Sequence, residues 1–470
     1  MESKQASDAQ GEPNLMKEEI EQSSNSLDRD TESGQMDDKE LQRRLRRIYW
    51  KVDLRLIPIL GAGMHEDLHF YIGNRYSVVL LVFFITYFMF EIPSNIILRK
   101  VGAAIWLSFI AMSWGIVIIQ LTGIQPLIAI RLLLGLFEAG FFPGCMYLIS
   151  CWYRRYQIQQ RIAWFYSINV IANGFGSLLA YGIIQMEGLG GLRGWRWIFV
   201  IEGLLTCVLA MMGYYLIIDF PDKLLKKKSF LTAEEVELIK AELDKDRGDA
   251  VHDPITPMKV LKTLSRWQLW IYSLLFMCVA IGIYGYAFFG VVILQGMGHS
   301  PGRVFLLSAP PAIASVPFSL VISYLADRTK LRSPYVAFMA ITCTIGYLLV
   351  AYPKQNGVRY FGVFLGLAGA NGALPAVLAW QANNIRGQST RAIASGLQVA
   401  FGAVGGIYAS VTFLEREAPT YFSGLWAGIA AQLFMLAACI GMSIYHYIQN
   451  RKAARGEMVI EGLEGFRYTY

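Results

Sequence analysis

The chain has 470 residues, of which 55% are hydrophobic and only 16% charged; its net charge is +7 and its mean hydropathy +0.40. Soluble domains carry about 25% charged residues, and the apolar residues here come in blocks of about 20, the length that crosses a hydrocarbon core. A soluble enzyme, a disordered chain and a disulfide scaffold are therefore excluded, and basic residues scattered through short loops do not make a nucleic-acid surface.

Residues 1–50 are polar and acidic, lack the apolar core of a signal peptide and read as a disordered cytoplasmic tail. About eleven spans follow, at 78–97, 104–121, 124–149, 162–185, 197–218, 267–293, 304–325, 335–352, 360–382, 393–414 and 423–448. The one long polar break, 219–265, contains Lys226, Lys227 and Lys228 and a helical run opening at Thr232 with a capping-box pattern. It divides a bundle at 51–218 from a bundle at 266–448, and 449–470 reads as a solvated cytoplasmic tail. The six cysteines fall almost entirely inside apolar blocks and read as packing residues. His65 and His69 lie in a short external loop, so no metal site is expected.

Basic residues mark every second loop: Arg99 and Lys100, Arg154 and Arg155, Arg328 and Arg332, Arg386 and Arg391, Arg451 and Lys452. Those loops and both tails are assigned to the cytoplasm. The halves echo each other. The segment from Leu134 to Pro143 resembles that from Leu365 to Pro375, and Arg99 corresponds to Arg328, both at an offset of about 230 residues. Tails on one side require an even number of crossings, so the first span is missing. Only 54–64 is apolar between the basic tail and the external loop, and about eleven helical residues cover only about 16 Å. The expectation is a short stub there, left by a splice variant or a misread intron.

Arg131, Leu134 and Gly135, followed by Glu138, Ala139, Gly140 and Pro143, resemble the fourth-span motif of the major facilitator superfamily. Ser323 to Arg328 resembles that superfamily's loop motif. More narrowly, Phe90-Glu-Ile-Pro-Ser-Asn95, Gly191-Leu-Arg-Gly-Trp-Arg-Trp197 and Trp380-Gln-Ala-Asn-Asn384 resemble the fungal allantoate permease family of anion:cation symporters. The resemblance covers roughly residues 45–470. It implies an all-α membrane protein with two pseudo-symmetric six-helix bundles, the first helix being largely absent here. In the first half, Leu98 stands where the loop motif has its aspartate.

Charged groups inside spans are costly, so they are the site candidates. Arg131 and Glu138 are seven residues apart and share a helix face. Arg131 would attract a carboxylate or bias a nearby acid, and Glu138, Glu91 and Glu202 are candidates for proton coupling. Polar pore candidates are Asn169, Asn173, Tyr284, Tyr286, Asn371 and Gln398, whose amides and phenols can orient a small anion. Each also reads as helix–helix glue. Arg99, Asp327 and Arg328 are read as a cytoplasmic gate. No catalytic residue and no cofactor are expected: the spans contain almost no histidine, and there is no phosphate-binding glycine loop. The function expected is proton-coupled uptake of a small organic anion by a multi-pass protein of the plasma membrane, with protons and lipid as its other partners and a monomer as its form. Efflux by a carrier of the same superfamily, or a non-transporting truncated form, are the alternatives.

Overall fold

A computed structural model describes residues 75–120, 124–184, 186–224, 231–247, 255–295, 301–353, 355–412 and 422–470. The stub at 54–64, the His65–His69 loop and the lysine cluster lie outside them. Within them, helices follow the apolar blocks. The first set is α1 (Arg75–Val101), α2 (Ala103–Ile119), α3 (Ile124–Glu138), α4 (Phe141–Trp152), α5 (Ile158–Ile184) and α6 (Gly194–Leu216). A single helical turn at Pro221–Leu224 and two longer polar helices follow, α7 (Ala233–Arg247) and α8 (Pro257–Leu264). The second set is α9 (Trp267–Gln295), α10 (Pro301–Thr329), α11 (Ser333–Ala351), α12 (Asn356–Asn384), α13 (Gln388–Thr412) and α14 (Phe422–Ala454).

Each of the eleven expected spans coincides with one helix, except that 124–149 is divided between α3 and α4. Among the described residues, eight segments are long and apolar enough to cross a membrane, the α3–α4 pair being taken as one. The break falls at Ala139 and Gly140, where Gly140 takes φ 89°, a left-handed conformation that a Cβ disfavours. Its missing Cβ also admits Ser94 of α1, whose Oγ would lie 2.1 Å from a Cβ at that position. At Gly135, a Cβ would meet the Phe83 carbonyl at 2.5 Å. These two glycines let α1 and α3–α4 pack backbone to backbone, the small-residue contact by which helices associate in lipid.

The polar helices begin as local chemistry dictates. Thr232 and Glu235 exchange hydrogen bonds across the first turn of α7, the Glu235 amide donating to Thr232 Oγ1 at 3.3 Å and the Thr232 amide to Glu235 Oε2 at 2.8 Å. Thr256 caps α8 by accepting from the Lys259 amide at 3.3 Å. Asp219, beyond the end of α6, accepts from the Ala103 amide at 2.9 Å and so caps α2 from a distance in sequence.

The core lies on the second set and at its seam with the first. Trp380, Val377 and Ala379 of α12 are fully buried, with Tyr272 of α9, Met339 of α11 and Ile162 of α5 in the same cluster. Helix α13 packs against both α9 and α1, and α5 against both α10 and α12. The seam between the two sets is thus formed by α1, α4 and α5 on one side and α10, α12 and α13 on the other.

The C-terminal segment departs from expectation. Residues after α14 do not extend into solvent: Ile460, Phe466 and Thr469 are buried. The charged stretch from Arg451 to Glu464 suggested solvation, but the aromatic residues beyond it find a floor of amide and aromatic side chains among the helix ends.

Candidate functional site

Glu91 lies on the seam, its backbone carbonyl facing Gly396 of α13. It is fully buried on α1, and the Tyr87 phenol one turn earlier is the hydrogen-bonding group that faces its carboxylate. An acid buried inside a span, with a phenol and no cation facing it in the interactions described, is a functional-site candidate on cost alone. Gly135 and Gly140 bring α3–α4 onto the same helix, which sets Glu138 within electrostatic reach of Glu91. Arg131, two turns earlier on α3, acts on Glu138 in turn. From the second set, the Tyr284 ring stands edge-on to Phe84 of α1 at 6.1 Å, and its phenol feels both glutamates. Tyr87, one turn before Glu91, lies within the field of the same groups. Arg131, Glu138, Glu91 and Tyr284 are therefore one cluster. Tyr87 was not anticipated, although its position four residues before Glu91 was a visible signal.

The remaining candidates stand elsewhere. Asn371 is tied into an interhelical knot: Tyr166 donates to its Oδ1 at 3.2 Å, and its Nδ2 donates to Ser315 at 2.8 Å. Tyr166 is also within electrostatic reach of Tyr284, which connects this knot to the acidic cluster. Gln398 donates to the Val377 carbonyl at 3.3 Å and borders a small cavity with Tyr147, Gln381, Arg391 and Ser395. Tyr286 is stacked on Tyr347 at 4.8 Å and lies against Gly366, inside the packing of α9, α11 and α12. Glu202 is half-buried on α6, and none of the interactions described for the cluster includes it. Asn169 is exposed on α5. The Asn173 side chain lies outside the described residues.

The end of the seam that gathers the basic loops is closed. Arg332 donates to Asp327 at 2.6 Å, to Gln159 Oε1 at 2.9 Å and to the Arg155 carbonyl at 2.9 Å. The Gln160 amide donates to the other Asp327 oxygen at 3.0 Å. Burial pulls the Arg332 guanidinium below its ordinary value while Asp327 pulls it back, the balance expected of a desolvated ion pair. Arg328, the motif neighbour of Asp327, is exposed. Asp327 and Arg328 are consecutive on a helix and point about 100° apart, so the partner of Asp327 comes from beyond the turn. A second closure joins α1 to α13. Arg99 donates to Gln388 and lies 4.7 Å over the Phe220 ring, and Asn95 donates to the Ala392 carbonyl at 3.1 Å.

A family model described as Major Facilitator Superfamily matches residues 52–410. The chain belongs to this superfamily. It is similar to the MFS transporter prlL of a fungal species (strain NRRL 50135), at 28% identity over 90% of this chain and 91% of that one. It is also similar to the high-affinity nicotinic acid transporter of Saccharomyces cerevisiae, at 26% identity over 87% of this chain and 79% of the other. Among solved structures it shares the fold of the proton:xylose symporter XylE, with a TM-score of 0.59 at 15% identity, covering 83% of this chain and 92% of that one. The protein is thus a multi-pass membrane transporter of the major facilitator superfamily, and not an enzyme.

Proposed function

We infer that this transporter couples a small organic anion of the nicotinate or allantoate kind to protons, moving both by alternating access at the plasma membrane. The observation that carries the reading is Glu91, fully buried beside the Tyr87 phenol and a second glutamate and one step from Arg131. Two acids and one arginine share a low-dielectric seam. An incoming carboxylate competes with Glu138 for the Arg131 guanidinium, and a proton taken up by Glu138 or Glu91 keeps the net charge of the seam constant. Anion and proton thus enter as a pair, because either alone leaves an uncompensated charge in the membrane. The motifs shared with allantoate permeases and the similarity to a nicotinic acid transporter support the substrate class.

Bundles 51–218 and 266–448 would rock about this seam, with 219–265 as the cytoplasmic connection and Asp327, Arg332 and Arg99 closing the cytoplasmic end. Basic-loop placement supports that sidedness and cytoplasmic tails. One carrier chain contains both bundles, so a monomer suffices.

The test is an uptake panel of labelled nicotinate, allantoate, pantothenate and biotin in a permease-deficient cell, with and without a protonophore. At least one anion should accumulate against its gradient and lose that accumulation when the proton gradient collapses. Accumulation that ignores the protonophore would remove proton coupling, and failure of every carboxylate would remove the substrate class.

A further inference from the structure

The gated end contains a groove that none of the transport chemistry uses, and it is filled. After α14 the chain turns at Gly456, which has φ 76°, and runs back across the helix ends. Glu461 is pinned by both oxygens to Arg266, at 3.0 and 2.9 Å. Asn450 holds Tyr468 at two points, accepting from its amide and donating to its carbonyl, each at 2.8 Å. Asn384 grips Thr469 in the same way, at 2.6 and 3.0 Å, and the buried Trp380 indole donates to the Thr469 carbonyl at 2.9 Å. Side-chain amides therefore read this backbone much as a sheet edge reads an added strand. Rings supply the rest: Tyr468 stacks on His446 at 4.7 Å, and burial, with Glu461 beside it, pushes its phenol up.

All these anchors belong to the second helix set. The opposite wall belongs to the first. Arg155 Nη1 donates to the Arg467 carbonyl at 3.2 Å, and its guanidinium lies 4.7 Å over the Phe466 ring. The Tyr156 hydroxyl is 3.3 Å from that of Thr469. Arg155 also gives its carbonyl to Arg332 in the gate. The segment therefore spans the line along which this end must part.

We propose that residues 466–470 occupy a peptide groove built into the gate and act as a strap, which must release Arg155 and Tyr156 before this end can open. The strap stays on the second helix set, where most of its bonds are, and closes again over the first. Its removal lowers the barrier to opening; its fixation holds the end shut. Only the name of the side, cytoplasmic, is taken from the proposed function.

The experiment reads opening without any substrate, so its failure and a failure of the uptake panel are separate results. In a chain with its six native cysteines replaced, Ile162→Cys is the reporter, because Ile162 is buried behind the gate. Phe466→Ala with Thr469→Val removes the side-chain contacts to Arg155 and Tyr156 and spares the backbone bonds to Asn384 and Trp380. Maleimide labelling of the reporter should become about tenfold faster, and an unchanged rate would overturn the strap. Loosened packing could mimic the gain, so a second variant, Tyr156→Cys with Thr469→Cys, is bridged by a short bismaleimide before labelling. The bridged chain should label more slowly than the unbridged one; equal rates would also overturn the proposal.

Discussion

Arg332 and Asp327 are five residues apart in sequence and 2.6 Å apart in space, and the same guanidinium reaches the Arg155 carbonyl on the other helix set. One arginine therefore serves both as counter-ion within its own bundle and as a clasp to the neighbouring one. Its side chain is fully buried, so the clasp operates without solvent screening.

Removing one member of such a pair leaves a buried charge uncompensated. Arg332→Met should cost about 3–5 kcal/mol, and Asp327→Asn combined with Arg332→Met markedly less. Thermal unfolding of the detergent-purified variants checks this. A double variant as unstable as the sum of the singles would mean that the pair is not coupled.

Glu91→Gln keeps the size of the side chain and removes its ability to ionise. The variant should fold with stability equal to or above that of the parent, while proton-driven accumulation is lost and counterflow exchange of the same anion persists. Comparing net uptake with counterflow in one preparation separates these outcomes. Normal accumulation would show that the buried acid has no part in coupling.

Gly140 and Gly188 both adopt positive φ, at 89° and 82°, but a Cβ at Gly140 would meet Ser94 whereas one at Gly188 meets nothing within 4 Å. Gly188→Ala should therefore cost about 1 kcal/mol, the conformational component alone. Gly140→Ala adds a steric clash of about 1–3 kcal/mol and should reduce the yield of folded protein. Size-exclusion yield and thermal midpoint, measured side by side, distinguish the two.

Sidedness can be checked without knowing the substrate. Cysteines introduced at Glu234 and Lys452, on a cysteine-free background, should escape an impermeant maleimide applied to intact cells and react once the cells are opened. Labelling at either site from outside would reverse the assigned orientation.

The hydrophobic blocks made the helices legible because span length is imposed by the bilayer and read directly from composition. The break at Gly140 was hidden, since residues 124–149 form one apolar run; the signal was local, a glycine closely followed by Pro143. The pairing of Glu91 with Glu138 was hidden for a different reason, because it depends on how closely α1 approaches α3, which Gly135 and Gly140 decide. Motif adjacency suggested Arg328 for the gate, whereas helical geometry turns Arg328 outward and brings in Arg332. The tail was the hardest to place. The alternation Phe466, Tyr468, Tyr470 hinted at burial, but apart from Glu461 the segment's polar partners include residues 18 to 313 positions away in sequence, and no local pattern specifies contacts at such separations.

Trp380, Asn384 and His446 are buried, and each finds a polar or aromatic partner in residues synthesised after α14. During biosynthesis the two bundles can insert and pack in order, since chains emerge amino end first, but this end of the molecule lacks its final layer until the segment beyond α14 leaves the ribosome. A chain halted just past that helix would be fully inserted and still present an unfilled aromatic and amide floor, a difference that a quality-control system could sense without any transport taking place.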